Sequence, residues 1–183
     1  MKNKLISLLA GPTDKTKIFR FGIIKPEEYE TYLRETSETL IKHIESINII
    51  PDEGVPLDLA KSFRIIGGAV IGYFPKGTHN QFYRNFIYCS DVEEFDSGWF
   101  GLNTCLSLRG DIIIALGLSP GTMVEISYTK YHMKYLKREL PVLLDMRTIT
   151  NRIPIEVSED IDLRYFSNNK ELDSNLSAIR SER

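Results

Sequence analysis

Gly110-Asp111-Ile112-Ile113-Ile114-Ala115-Leu116-Gly117-Leu118-Ser119-Pro120-Gly121-Thr122-Met123-Val124-Glu125 is the stretch from which the fold can be read. The unbroken apolar run Ile112 to Leu116 predicts a strand buried on both faces. A Ser-Pro-Gly-Thr turn then delivers the chain to the N-terminus of a helix. Unpaired N–H groups and the positive end of the helix dipole make such a mouth attractive to an anion such as phosphate. Glu125 falls one helical turn into it. There a carboxylate can cap the first turn, or it can face a bound sugar as base or hydrogen-bond acceptor. Spacing alone favours the cap.

The same strand-then-helix alternation extends in both directions. Leu5 to Ala10 reads as a buried first strand ending in Gly11-Pro12-Thr13-Asp14, and Pro26 opens an amphipathic helix to about Ile44. Ile47 to Ile50 predicts a second strand with the loop Pro51-Asp52-Glu53-Gly54, followed by a helix that ends at Gly67-Gly68. Ala69 to Phe74 is the third strand. Phe86-Ile87-Tyr88-Cys89 reads as a short fourth, and Leu102 to Leu108 as helix. After the strand Asp111 to Leu116 come a helix from Thr122 to about Arg138 and a strand Val142 to Leu144. With right-handed crossovers this order predicts an α/β fold: a three-layer, Rossmann-like, doubly wound, mainly parallel sheet with helices on both faces. One domain over residues 1–183 is expected, with its regular core at about 4–150. Ile153 to Val157 reads as a short edge strand, and the polar tail from Asn168 to Arg183 as poorly ordered or lying on a partner.

With 183 residues, 42% hydrophobic and 26% charged, the chain is long enough to bury a core and too apolar to be disordered. A net charge of −2 supplies no basic field, so neither nucleic acid nor an acidic membrane is an expected partner. Met1 to Lys4 and the short apolar run after it form no membrane span. Cys89 and Cys105 lack metal spacing and read as reduced thiols of a cytoplasmic protein. His43, His79 and His132 are scattered, so no metal site is expected, and no cofactor is implied. His132, two turns beyond Glu125, reads as exposed or capping. Neither G-x-G-x-x-G nor G-x-x-x-x-G-K occurs, and Ser119 and Ser127 sit in no G-x-S-x-G elbow. Tyr128, Tyr131 and Tyr135 share a helical face suited to core or dimer packing. Asp91, Glu93, Glu94 and Asp96, ahead of Trp99, read as a solvated acidic loop.

Open parallel sheets bind ligands beyond the carboxyl ends of their strands. Three loops qualify: Gly11 to Asp14, Pro51 to Gly54 and Leu118 to Thr122.

The run Ala115 to Glu125 resembles the A-L-P-G-G-x-G-T-x-x-E signature of LOG-type, lysine-decarboxylase-like proteins. That group includes cytokinin phosphoribohydrolases and proteins assigned as molybdenum-cofactor carriers. Leu8 to Thr13 is similar to the family's first strand and turn, and Gly67 to Pro75 to its G-G-x-V-I-G-x-x-P strand. The resemblance covers about residues 5–145. It implies a Rossmann-like fold, a nucleoside monophosphate or related phosphorylated small molecule as ligand, and a homodimer or higher homo-oligomer with the site near the interface. The binding residues it implies are Gly11, Pro12, Thr13, Gly54, Asn103, Ser119, Pro120, Gly121 and Thr122, with Glu125 in the catalytic position. Three departures stand out. Gly117-Leu118-Ser119 replaces P-G-G, the acids Asp52 and Glu53 enter the second glycine turn, and Leu102 occupies the place of the family arginine. Leu9-Ala10-Gly11-Pro12 and Gly121 to Tyr128 also look like blocks of nucleoside 2-deoxyribosyltransferases, in which the glutamate acts at the anomeric carbon. The leading reading is nucleotide binding with weakened catalysis. An N-glycosidic-bond hydrolase or transferase using Glu125 is the alternative, and a scaffold or sensor that has lost its ligand is a third.

Overall fold

The computed structural model describes residues 4–137 and 139–183. Its strands are β1 Leu5–Ala10, β2 Ile44–Ile49, β3 Ala69–Pro75, β4 Asp91–Phe95, β5 Ile112–Ala115, β6 Val142–Asp145 and β7 Leu163–Phe166. They form one seven-stranded sheet in the order β4-β3-β2-β1-β5-β6-β7, with every neighbouring pair parallel. From β1 the order runs one way to β4 and resumes at β5 on the other side. The topological switch therefore lies between β1 and β5.

The helices are α1 Thr16–Phe21, α2 Tyr29–Leu40, α3 Val55–Ile65, α4 His79–Phe82, α5 Gly98–Cys105, α6 Pro120–Leu136, α7 Ile155–Ser158 and α8 Asn169–Glu182. Strand side chains alternate between the two faces. Leu9, Ile47, Ile112 and Ile114 pack with residues of α1, α2, α3 and α8, whereas Leu8, Ala10, Ile113 and Ala115 pack with residues of α5 and α6. Both faces of the central strands are therefore apolar, as a doubly covered sheet requires, and each fully buried Leu or Ile contributes about 1.5–3 kcal/mol.

A buried ion pair fastens the end of β6. The Arg147 guanidinium donates to Asp145 Oδ2 at 2.7 Å, and the Tyr32 hydroxyl donates to the same oxygen at 3.1 Å. Arg147 also lies over the Tyr32 ring, 4.8 Å from its centroid. This ties α2 to the carboxyl end of the sheet.

Several expectations are corrected. Tyr83 to Tyr88, which overlaps the expected fourth strand, is a 3₁₀ helix, and β4 is instead the acidic segment read as a loop. As an edge strand it needs only one ladder, to β3, and its charges face solvent, which suits an edge that must not pair with another chain. Residues Ile153 to Val157 form no strand. Pro154 starts the short helix α7 by accepting from the Val157 and Ser158 N–H groups, and the edge strand on this side is β7. The tail expected to be poorly ordered forms α8, capped by Asn168 accepting from Glu171 N–H, with Leu172, Leu176 and Ile179 buried. Helix α2 ends at Leu40, so β2 begins at Ile44. Arg138, the expected end of the long helix, and Met1 to Asn3 lie outside the described residues.

Candidate functional site

Two glycines shape the carboxyl edge at the switch point. Gly117, at φ 114°, turns the chain between β5 and α6. Gly54, at φ 106°, starts α3, where any Cβ would collide with the Pro12 carbonyl and Thr13. The Val55 N–H donates to that Pro12 carbonyl at 3.1 Å, so the loops after β1 and β2 brace each other. Gly11 lets the backbone run close to Pro56 and to the Leu116 carbonyl.

Between these loops lies a crevice of about 270 Å³. Gly11 and Thr13 line it from the loop after β1, and Asn103 from α5. Ser119, Pro120, Gly121, Thr122 and Glu125 line it from the start of α6. Two sequence-predicted residues lie outside it. Pro12 is buried against a neighbouring cavity, and Gly54 supports the wall from behind. Asp52, Glu53, Lys17 and Trp99 also line it, beside the apolar Leu9, Ala10, Ile50 and Pro56. The acids were visible in the sequence as a departure, whereas Lys17 and Trp99 were not read as site residues. For Lys17 the usable signal was its place at the start of the helix that follows the first switch-point strand.

The helix mouth is partly self-satisfied. Ser119 Oγ accepts from the Thr122 N–H at 3.2 Å and lies 2.9 Å from the Thr122 hydroxyl, while Pro120 has no N–H. Met123 N–H donates to the Ser119 carbonyl. The Gly121 N–H is the donor of the first turn that remains for a ligand among the described residues. The cap of α6 is thus Ser119, and Glu125 is released from that role.

Glu125 is 6% exposed, and its carboxyl forms no hydrogen bond or ion pair with another described residue. Burial pushes its pKa up to about 8. Leu102, at the place of the family arginine, is fully buried in the apolar cluster that includes Ile126. Arg109 is turned away, paired with Glu93 at 3.1 Å. With no ion pair to offset its burial, Glu125 is held mainly as the neutral acid at pH 7, able to donate a hydrogen bond or a proton. Lys17 is the cation of the lining, partly buried, and its backbone N–H donates to the Asp14 carbonyl at 3.2 Å. Hydrogen bonds from Thr16 and, behind them, the Lys17 charge hold the Asp14 carboxyl below its ordinary pKa, and the Lys17 ammonium makes no hydrogen bond or salt bridge to a described residue.

The other polar candidates lie elsewhere. His132 is buried rather than exposed, its Nδ1 2.8 Å from Ser107 Oγ, and burial holds its pKa below the ordinary imidazole value. Glu94 accepts from the Gly77 N–H and Asp96 from Lys76. Cys89 and Cys105 are free and partly buried. Among the described residues no His/Cys/Asp/Glu cluster could hold a metal ion, and no helix is long and apolar enough to cross a membrane.

No family model matches the sequence, and no curated protein matches it. Solved structures do match. The molybdenum cofactor carrier protein of Chlamydomonas reinhardtii aligns with a TM-score of 0.66 at 16% identity, over 98% of this chain and 99% of that one. The molybdenum cofactor binding protein of Rippkaea orientalis aligns with 0.64 at 15%, over 98% and 99%. The structural-genomics target TM1055 aligns with 0.71 at 18%, over 96% and 99%. At these identities the likeness concerns the backbone, and the chain shares with all three a Rossmann-like, doubly wound α/β fold along nearly its whole length.

Proposed function

We propose that this is a LOG-like binding protein that holds a nucleoside monophosphate or a related phosphorylated ligand at the β1–β5 switch point. The observation that carries the reading is the make-up of the crevice lining. It combines Lys17 and the Gly121 N–H at the mouth of α6, which suit an anion, with Asp52 and Glu53 from the loop after β2. In dinucleotide-binding Rossmann folds a carboxylate beyond β2 accepts from ribose hydroxyls. The acids that would repel a phosphate thus suit a sugar. A neutral Glu125 in the same lining donates to an anionic ligand instead of repelling it. The molybdenum cofactor, named for the Chlamydomonas and Rippkaea proteins, combines a heterocycle with a phosphate and falls in the same ligand class.

Binding is favoured over phosphoribohydrolase chemistry because burial, with no opposing ion pair, holds Glu125 as the neutral acid rather than as an ionised nucleophile or base. The chain does not fill its own crevice: Leu118 lines a neighbouring cavity, and the acidic segment is β4. This weighs against a scaffold that has lost its ligand. Titration calorimetry with nucleoside monophosphates and with the molybdenum cofactor tests the reading, and Trp99, the single tryptophan, supplies a fluorescence signal from the crevice wall. Absence of binding at millimolar concentration sinks it.

One observation favours the N-glycosidase or deoxyribosyltransferase alternative. A carboxylic acid with a pKa of about 8 suits protonation of a departing base. Release of free base from a nucleotide mixture, abolished in Glu125→Gln, would establish that route. Homodimerisation belongs to the main reading as well: Phe100 on α5 and Tyr131 and Tyr135 on α6 are exposed, a face suited to a second copy. A monomer at micromolar concentration in sedimentation equilibrium would rule this out.

A further inference from the structure

A second cavity of about 290 Å³ adjoins the crevice on the opposite side of the α6 mouth. Its walls come from the β1 loop, the end of α1, the start of α6 and residues 148–154, and its named apolar lining includes Pro12, Ile18, Phe21, Leu118 and Met123. Consecutive residues divide the two spaces: Leu118 and Met123 face the cavity, Ser119 and Thr122 the crevice. Lys17 lines both. The cavity is a fixed feature of the fold. Thr150 Oγ1 donates to the Phe21 carbonyl at 2.6 Å, Ile23 N–H donates to the Arg147 carbonyl at 2.8 Å, and a Cβ on Gly22 would strike Arg147 and Thr148 backbone.

We propose that the site is bipartite, with this cavity receiving an uncharged aryl group of the ligand whose anionic group lies between Lys17 and the Gly121 N–H. The inference rests on the phosphorylated-ligand reading above and extends it to the ligand's apolar end. Three observations carry it. The cavity, about 290 Å³ and open to solvent, has room for an aromatic ring, and Lys17 lines it as well as the crevice. Of its polar side chains, Thr148 Oγ1 donates to the Asp145 carbonyl and Thr150 Oγ1 to the Phe21 carbonyl, Arg152 lies over the Tyr165 ring, and Asn151 and Arg152 are exposed at the rim. Away from that rim a group with many hydrogen-bonding edges would find few partners, whereas a flat ring meets Pro12, Phe21, Leu118, Met123 and Pro154.

The test is titration calorimetry of the full chain with inorganic phosphate, 1-naphthol and 1-naphthyl phosphate. The ester is expected to bind at least about tenfold more tightly than either fragment, the gain that burial of one ring supplies. Leu118→Gln is expected to remove the margin over phosphate, and Lys17→Gln the margin over naphthol. If Leu118→Gln does not fold, Phe21→Ser, at a side chain 48% exposed on the rim, reads the same loss. An ester no tighter than phosphate, or a margin untouched by these variants, overturns the proposal. Nucleoside monophosphates titrated in parallel separate the two readings. Ester binding without nucleotide binding leaves the cavity standing and removes the nucleotide, and the reverse leaves the nucleotide and removes the cavity.

Discussion

Replacing Glu125 with glutamine probes the electrostatics of the crevice through stability alone. The carboxyl is buried without a described partner, and burial raises its pKa from the ordinary 4.5 to about 8. Between those values the native state holds a proton that the unfolded chain has lost. The stability contributed by this group is therefore fully present below about pH 4.5 and is lost progressively as the pH rises to about 8. At pH 5 only about half a pKa unit of this loss has accrued, whereas by pH 8 the loss amounts to roughly 4–5 kcal/mol. Glutamine keeps the shape and the polarity and has no proton to lose. Relative to the parent, Glu125→Gln is thus expected to gain about 4 kcal/mol more at pH 8 than at pH 5. For a chain of this size that corresponds to about 8–16 °C in Tm. Thermal melts of both proteins at the two pH values, followed by circular dichroism, measure the difference of differences, in which every other titrating group cancels. An equal offset at pH 5 and pH 8 would refute the claim that burial holds Glu125 neutral.

The same ionisation governs ligand binding: the affinity for a phosphate monoester is expected to fall several-fold between pH 7 and pH 9 in the parent and to stay level in Glu125→Gln, read by calorimetry. Gly54→Ala places a Cβ against Pro12 and Thr13 at a backbone conformation only glycine adopts readily; a loss of about 3 kcal/mol or more in urea unfolding is expected. Asp145→Ala leaves the Arg147 guanidinium largely buried without its carboxylate, and chemical denaturation should show a loss of about 3–5 kcal/mol. A change below about 1 kcal/mol would mean that the pair is not holding α2 to β6.

The parts that could be read from the sequence are those whose cause is local. The apolar run Ile112 to Leu116, the turn after it and the similar run Leu5 to Ala10 predict β5, β1 and the mouth of α6, because strand burial and helix initiation depend on adjacent residues. β4 escaped that reading. Asp91, Glu93 and Glu94 have poor strand propensity, and what makes them a strand is the free edge of β3 beside them. Helix α8 escaped it too, since the apolar Leu172, Leu176 and Ile179 are sparse among polar neighbours and gain their meaning from the sheet face they cover.

For the candidate site the division is similar. By itself the sequence determined the doubly wound fold and the chemical character of the loops that meet at its switch point, because these follow from short-range periodicity and turn chemistry. Only the tertiary structure decided that Ser119 caps α6 so that Glu125 does not, that Leu102 leaves this acid buried and neutral, and that Lys17 stands between a polar crevice and an apolar cavity. Those properties depend on which distant residues exclude water from a given group, and solvent exclusion is a property of packing that no run of adjacent residues encodes.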